Sequence, residues 1–340
     1  MSLSSEFKSF GLGLGFHLVG ITSPAPFSQA EIDITRWLND GHQGDMAWLT
    51  AARAHLATRP LELLPEARSL VVVGVSYRTE EPAAGRGGRL ARYAWGGDYH
   101  AAMKARLHQL GDWLAEHAAP DARSRIFVDD GPLVERDAAI RAGLGFRGKN
   151  TNLLTPIGSF VFLGALLTSA ELEFDQPVVK DCGACRLCID ACPTDALDAA
   201  YHLAAERCIA YLTIEHRGPI ADELRPHLGE WIFGCDICQE VCPYNASTRA
   251  RPRGWPEFEP RHGTRLDLVD VLKLDDAGFS AQFRGSPIKR AKRRGLVRNA
   301  ALALGSTDSP GARSALEDAS LTDPEPVVRE AADWSLRRLP

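Results

Sequence analysis

Cys182-Gly-Ala-Cys185-Arg-Leu-Cys188-Ile-Asp-Ala-Cys192-Pro193, then Cys208 alone, then Cys235-Asp-Ile-Cys238-Gln-Glu-Val-Cys242-Pro243, hold all eight cysteines of a 340-residue chain. The first run has the spacing C-x2-C-x2-C-x3-C-P of a bacterial two-cluster ferredoxin. In the second, one ligand has moved upstream to Cys208. Three thiolates on a tight loop cap three irons of one cubane, and the fourth, past the loop, points to the other cluster. The spacing therefore assigns Cys182, Cys185, Cys188 and Cys242 to one cluster, and Cys192, Cys208, Cys235 and Cys238 to the second. Zinc sites pair one CxxC with another or with histidines, and this run suits them poorly. A C-x3-C-x2-C radical site is absent. Two adjacent clusters form a wire, which implies a one-electron source at one end and a sink at the other.

Composition sets the frame around this constellation. With 45% apolar and 24% charged residues the chain is ordinary globular protein, not disordered polymer. Its net charge of −5 excludes a generally basic, nucleic-acid-coating protein. The cysteines are clustered, which argues for metal rather than disulfide staples. The N-terminus lacks a secretory pattern and no run of about 20 apolar residues occurs, so a cytoplasmic protein without a membrane span is expected.

Upstream of the cysteines the chain mixes strands and helices. Leu70–Tyr77, Arg125–Val128 and Ser159–Leu167 read as strands, the last broken at Gly164. Met103, Leu107, Leu110, Trp113 and Leu114 fall on one face of a helix over 99–118. Asp129-Asp130-Gly131-Pro132 is a turn that starts a helix running to about Arg141. Gly143-Leu-Gly145-Phe-Arg-Gly148 fits GxGxxG but follows a helix. A dinucleotide site needs strand, turn, helix, so these glycines are expected to let backbone approach a flat, bulky ligand. Downstream, Arg249–Thr264 reads as a connector. Val297-Arg-Asn-Ala-Ala301 then recurs as Val328-Arg-Glu-Ala-Ala332, at a period suited to a HEAT-like helical unit. Arg284, Lys289, Arg290, Lys292, Arg293, Arg294 and Arg298 form an acid-free window fit to guide a phosphate backbone.

Several of these segments together resemble the epoxyqueuosine reductase family. They are the two cysteine runs, Ala91-Arg-Tyr93-Ala94-Trp-Gly-Gly-Asp98-Tyr99-His100, Phe127-Val-Asp129-Asp130-Gly-Pro132, Ala142–Asn150, and Arg284-Gly-Ser-Pro287. The match follows the family's order from near residue 10 to the C-terminus.

The resemblance implies an α+β chain. It would comprise a nitroreductase-like, reductive-dehalogenase-like cobalamin domain over 1–175, a two-cluster 4Fe-4S ferredoxin-like domain over 176–250, and HEAT-like helices with a basic tRNA-binding patch over 251–340. It implies reduction of epoxyqueuosine in the tRNA wobble position to queuosine, with an external low-potential electron donor and cobalamin as the electron sink. Epoxide opening to an alkene takes two electrons and releases the oxygen as water, so a proton donor is needed. Asp129 matches the family's donor, and a turn or cap role is the alternative for it and for Asp130. Arg59, Tyr93, Ala94, Asp129, Lys149 and Asn150 are implied corrin neighbours, while His100 is expected to be structural and not a cobalt ligand. Lys289, Arg290, Lys292, Arg293, Arg294 and Arg298 are the expected RNA contacts. The competing readings are a small-molecule reductive dehalogenase and a non-enzymatic iron–sulfur RNA-binding protein.

Overall fold

The computed structural model describes residues 2–80, 85–246, 252–307 and 310–339. Strand β2 (Ser69–Ser76) is buried along its whole length. A strand of that kind needs a neighbour on each edge and cover on both faces. It pairs antiparallel with β1 (Leu18–Thr22) and with β7 (Val161–Thr168), and β7 pairs antiparallel with β4 (Ser124–Phe127). The sheet order is β1-β2-β7-β4.

One face is covered by the helices Leu3–Gly13 and Tyr99–His117, whose Phe7, Met103, Leu107, Leu110 and Leu114 meet Val71, Val73 and Leu166. Trp113, expected on that face, is only partly buried and stacks on Phe10 and His117. The expected break at Gly164 does not occur: β7 runs through it. A Cβ there would come within 2.9 Å of Leu107 and 3.0 Å of Met103, so the glycine admits the long helix. On the other face, Phe27, Ala30, Ala138 and Ala139 from the helices Ser28–Asn39 and Glu135–Arg141 meet Leu70, Val72, Ala165 and Leu167. The second of these helices begins at Glu135, after the turn that holds Pro132.

A smaller sheet ties the front of the chain to the cysteine region. β3 (Gly88–Leu90) lies between β8 (Trp231–Phe233), parallel, and β9 (Arg265–Leu266), antiparallel. β5 (Phe146–Arg147) and β6 (Leu153–Leu154) form a separate hairpin. Residues 249–251 of the expected connector lie outside the described residues. Beyond them, Trp255 and Phe258 insert into the first core, and the Trp255 indole donates to the Gly15 carbonyl at 2.8 Å.

The repeated motif falls on two helices, Lys292–Leu304 and Pro326–Leu336, with Ala312–Thr322 between them. Val297, Ala300 and Ala301 share one core with Val328, Ala331 and Ala332, and the same core takes Leu90, Trp95, Leu212, Ile232 and Phe233. Small residues at helical spacing let the two helices approach. The Ser335 hydroxyl donates across the gap to the Ala301 carbonyl at 2.8 Å.

Candidate functional site: two thiol sets beside a cavity

The eight thiols are free, and seven are partly exposed while Cys242 is buried. Their electrostatic neighbours divide them. Cys188 is influenced by Cys242 and Cys182, and Cys242 by Cys182 and Cys185. Cys235 is influenced by Cys208 and Cys192, and Cys238 by Cys235 and Cys208. These are the two sets read from the spacing. Backbone N–H groups point at the sulfurs: Ile189 at Cys188, Ala210 and Tyr211 at Cys208, Ile237 at Cys235, Tyr244 and Asn245 at Cys242. Amide donors to sulfur suit thiolates of an iron–sulfur cluster and tune its potential. Among the described residues, no three His, Cys, Asp or Glu side chains are grouped so as to hold a single metal ion. Cys188 is also an electrostatic neighbour of Cys238, so the two sets adjoin.

The hairpin of β5 and β6 holds the sets in place. Lys149 donates to the carbonyls of Gly183 at 2.6 Å and Cys185 at 3.0 Å. The buried Asn150 donates to the Cys238 carbonyl at 3.2 Å, and the Asn152 amide lies 3.9 Å from the Cys238 sulfur. Lys149 and Asn150, expected against a corrin, thus clamp the cysteine loops. The glycines beside them act likewise. A Cβ at Gly145 would fall 2.2 Å from the Leu154 carbonyl oxygen and one at Gly143 2.5 Å from that of Gln176, so they admit neighbouring backbone rather than a ligand.

A cavity of about 800 Å³ opens beside this hairpin. Its lining includes Leu133, Leu153, Val161, Phe162 and Leu163, with Tyr99, Asp129, Glu135, Asn152 and His202 among the polar groups. Among the expected corrin neighbours, only Asp129 is in its lining. Arg59 sits on the outer surface, where it pairs with Glu31 at 2.9 Å and borders a shallow pocket. Ala94 is fully buried in the core shared with the C-terminal helices. Tyr93 lies beside Phe233 and within electrostatic range of Asp129, which with burial holds its hydroxyl protonated.

Asp129 follows β4 with a left-handed backbone, φ +54°. That conformation costs a side-chain-bearing residue energy, so neighbours must hold it. The Tyr99 hydroxyl donates to its carboxylate at 2.9 Å. Its own N–H donates to the Glu135 carboxylate at 3.0 and 3.2 Å. Burial, with Asp129 and Asp130 nearby, pushes the Glu135 carboxyl up to about 8. Asp130 diverges: it pairs with Lys104 and accepts from the Val128 N–H at 3.2 Å. Despite some desolvation, those two contacts hold its carboxyl below the usual range. His100 pairs with Asp98 at 2.6 Å and stacks on Tyr99. Glu135 was not expected from the sequence; an acid opening a helix six residues past a strand-end aspartate was the available signal.

The basic window divides by depth. Arg284, Lys289, Arg290 and Lys292 are exposed and Arg294 is partly so. Arg293 is 6% exposed and paired with Asp323, and Arg298 is 1% exposed. Neither reaches solvent as an RNA contact must. The Arg298 guanidinium donates to the carbonyls of Leu212, His216 and Gly218 at 2.5, 3.1 and 2.6 Å, and burial pushes it down to about 9. Asn299 donates to the Thr213 and Ile232 carbonyls. Both therefore fasten the helix after Cys208 and β8 to the C-terminal helices.

Comparison with known proteins agrees with this arrangement. A family model described as "4Fe-4S double cluster binding domain" matches residues 181–245, and "Epoxyqueuosine reductase QueG, DUF1730" matches 58–130. The epoxyqueuosine reductase of Pseudomonas aeruginosa is 38% identical, covering 99% of this chain and 94% of its own. That of Escherichia coli is 37% identical, covering 98% and 89%. The chain belongs to the epoxyqueuosine reductase family. A solved epoxyqueuosine reductase with an epoxyqueuosine-modified tRNA-Tyr stem loop superposes with a TM-score of 0.90 at 32% identity, covering 99% of this chain and 90% of that one. The Bacillus subtilis epoxyqueuosine reductase, described with an aspartate catalytic loop swung out of its active site, superposes at 0.88 and 31% identity, covering 98% and 89%. The segment matched by the double-cluster model contains every cysteine of the chain.

Proposed function

We propose that this chain reduces the epoxide of epoxyqueuosine in tRNA to the alkene of queuosine, with two 4Fe-4S clusters and cobalamin as resident cofactors. When bound, the clusters supply electrons singly and the corrinoid supplies a reducing cobalt centre. Two electrons and two protons enter per epoxide, and one water leaves.

The single observation that carries the reading is the placement of Asp129. Asp129 lines a cavity that Asn152 also lines, and the Asn152 amide lies 3.9 Å from the Cys238 sulfur. Proton source and electron entry thus face one space. Cys182, Cys185, Cys188 and Cys242 would hold one cluster, and Cys192, Cys208, Cys235 and Cys238 the other. The cavity suits a large amphipathic group: an apolar wall of Leu133, Leu153, Val161, Phe162 and Leu163, with charged and polar side chains such as Asp129, Glu135 and Arg147 in the same lining. Those residues would hold the corrin in place of Arg59, Ala94, Lys149 and Asn150. Tyr99 keeps the Asp129 carboxylate aimed inward, and Asp129 delivers the proton to the departing oxygen.

The RNA would approach over Lys289, Arg290, Lys292 and Arg294. Arg290 lies within electrostatic range of both Asp129 and Tyr93, which puts this basic edge by the cavity. The C-terminal helices, a HEAT-like unit in this reading, back that edge.

The test is anaerobic purification with cobalamin supplied, followed by metal analysis and turnover on an epoxyqueuosine stem loop. About eight irons (two four-iron cubanes) and one cobalt per chain are expected, with product nucleoside lighter by one oxygen. Asp129→Asn keeps both metals and loses turnover. Zinc without corrinoid, or full activity in Asp129→Asn, overturns the reading.

A further inference from the structure

We propose that Trp48 is a stacking platform for the nucleobase next to the modified nucleotide, at the rim of the cavity. Trp48 is 48% exposed and belongs to none of the buried cores, yet it lines the cavity. A large indole left half in water at a cavity mouth is a binding feature more than a packing one.

Its surroundings favour a nucleobase. The guanidinium carbon of Arg53 lies 5.2 Å from the indole centroid and that of Arg290 6.0 Å away. Each cation is held by another acceptor: Arg53 by the Gly131 carbonyl at 3.3 Å, Arg290 by Glu215 at 2.8 and 2.9 Å. They stay over the ring, leaving the rest of its surface to a base, and supply positive charge for the flanking phosphates. The Trp48 loop is itself fastened. The Asp45 N–H donates to the Tyr211 hydroxyl at 2.6 Å, and His216 lies 2.8 Å from the Asp45 carboxylate. An aromatic face bordered by fixed cations is how single-stranded nucleic acid is gripped without reading base identity. A nucleotide inserted toward Asp129 leaves its neighbour unstacked at the rim, and Trp48 replaces the lost stack.

This inference rests on the tRNA reading, and the test separates the two. Stem loops are made with 2-aminopurine, or with an abasic residue, on the 3′ side of the modified nucleotide. Binding to the wild-type holoenzyme should quench 2-aminopurine, and Trp48→Ala should abolish the quench and weaken binding about 5- to 150-fold. Trp48→Phe should retain most of both. The abasic loop should bind wild type more weakly but cost Trp48→Ala almost nothing further. Iron content and melting temperature should be unchanged, since the side chain is outside the buried cores, and corrinoid content should hold because Leu133, Leu153, Val161, Phe162 and Leu163, not Trp48, form the wall assigned to the corrin. If wild type binds the loop and Trp48→Ala binds it equally, or loses corrinoid instead, the platform falls and the tRNA reading stands. If wild type binds no stem loop, both fall.

Discussion

The two cysteine runs differ in what surrounds them. The first run follows an exposed segment: Phe174, Val178 and Val179 before it and Leu187 within it are 48, 41, 101 and 51% exposed. The second is set among Ile209, Leu212, Trp231, Ile232 and Phe233, all at most 4% exposed, with the C-terminal helices behind them. The first run is the outer one, and the second, which carries Cys238 beside Asn152 of the cavity lining, is the inner one. The same contrast runs through the charged residues. Arg293 and Arg298 are interior braces, while Lys289 and Lys292 are surface charges, four residues or fewer from one of them in sequence. Depth, rather than residue type, decides what each group does.

The largest effects should come from the inner side of this contrast. Cys235→Ala should cut iron from about eight to about four per chain, abolish turnover and lower the melting temperature. Cys185→Ala should lose as much iron with a smaller loss of melting temperature. Equal melting losses would break the inner–outer distinction. Asp129→Asn should lower turnover by about 10²–10⁴-fold, the usual worth of a positioned proton donor, while Asp130→Asn removes only an exposed ion pair with Lys104. A comparable loss from the second substitution would mean that the pair, not Asp129 alone, delivers the proton.

The basic segment gives the next contrast. Asp323→Ala leaves Arg293 buried and unpaired and should cost about 3–5 kcal/mol of stability, read by chemical denaturation. Lys289→Glu and Lys292→Glu should leave stability nearly unchanged. Each should reduce the slope of log affinity against log salt for the stem loop by about 0.7 or more. If the surface variants leave the slope unchanged, the patch serves solubility only.

Chain order carries depth poorly, and this sets what could be read from it. The cysteine sets were legible because cubane geometry forces the spacing of their ligands. The central strands and the long helix were legible because each is apolar at its own period. The strand end and turn at Asp129 were legible, while its singling out from Asp130 rested on the family resemblance. Lys149 and Asn150 were named from the family resemblance alone, and their hydrogen bonds to the Gly183, Cys185 and Cys238 carbonyls, made from the hairpin of β5 and β6, had no sequence signal. Arg293 and Arg298 look like neighbours of Lys292 on a line, and only the packing of the C-terminal helices turns them inward. Trp48 and Glu135 reach the cavity through folding of distant segments, with no local motif to mark them.

The smallest predicted effect concerns Glu135, the interior counterpart of Asp130. Its carboxyl ordinarily titrates near 4.5 and is held up to about 8 by burial. The folded state therefore keeps the proton more tightly than the unfolded chain. The stability this gives is fully present below about 4.5 and is lost as pH rises through about 8. Ionisation there also sets a second negative charge against Asp129, whose left-handed backbone depends on the same side chain. Turnover should accordingly fall on the alkaline side with a midpoint near 8. Glu135→Gln keeps an oxygen to accept the Asp129 N–H but cannot ionise, so it should hold the neutral-pH rate within a few-fold and erase that limb. Glu135→Ala removes the acceptor too and should lower the rate at every pH, by about 0.5–1.5 kcal/mol in activation free energy if one hydrogen bond is lost. A Gln variant that keeps the limb would show that some other group titrates, and that Glu135 holds the loop by its hydrogen bond alone.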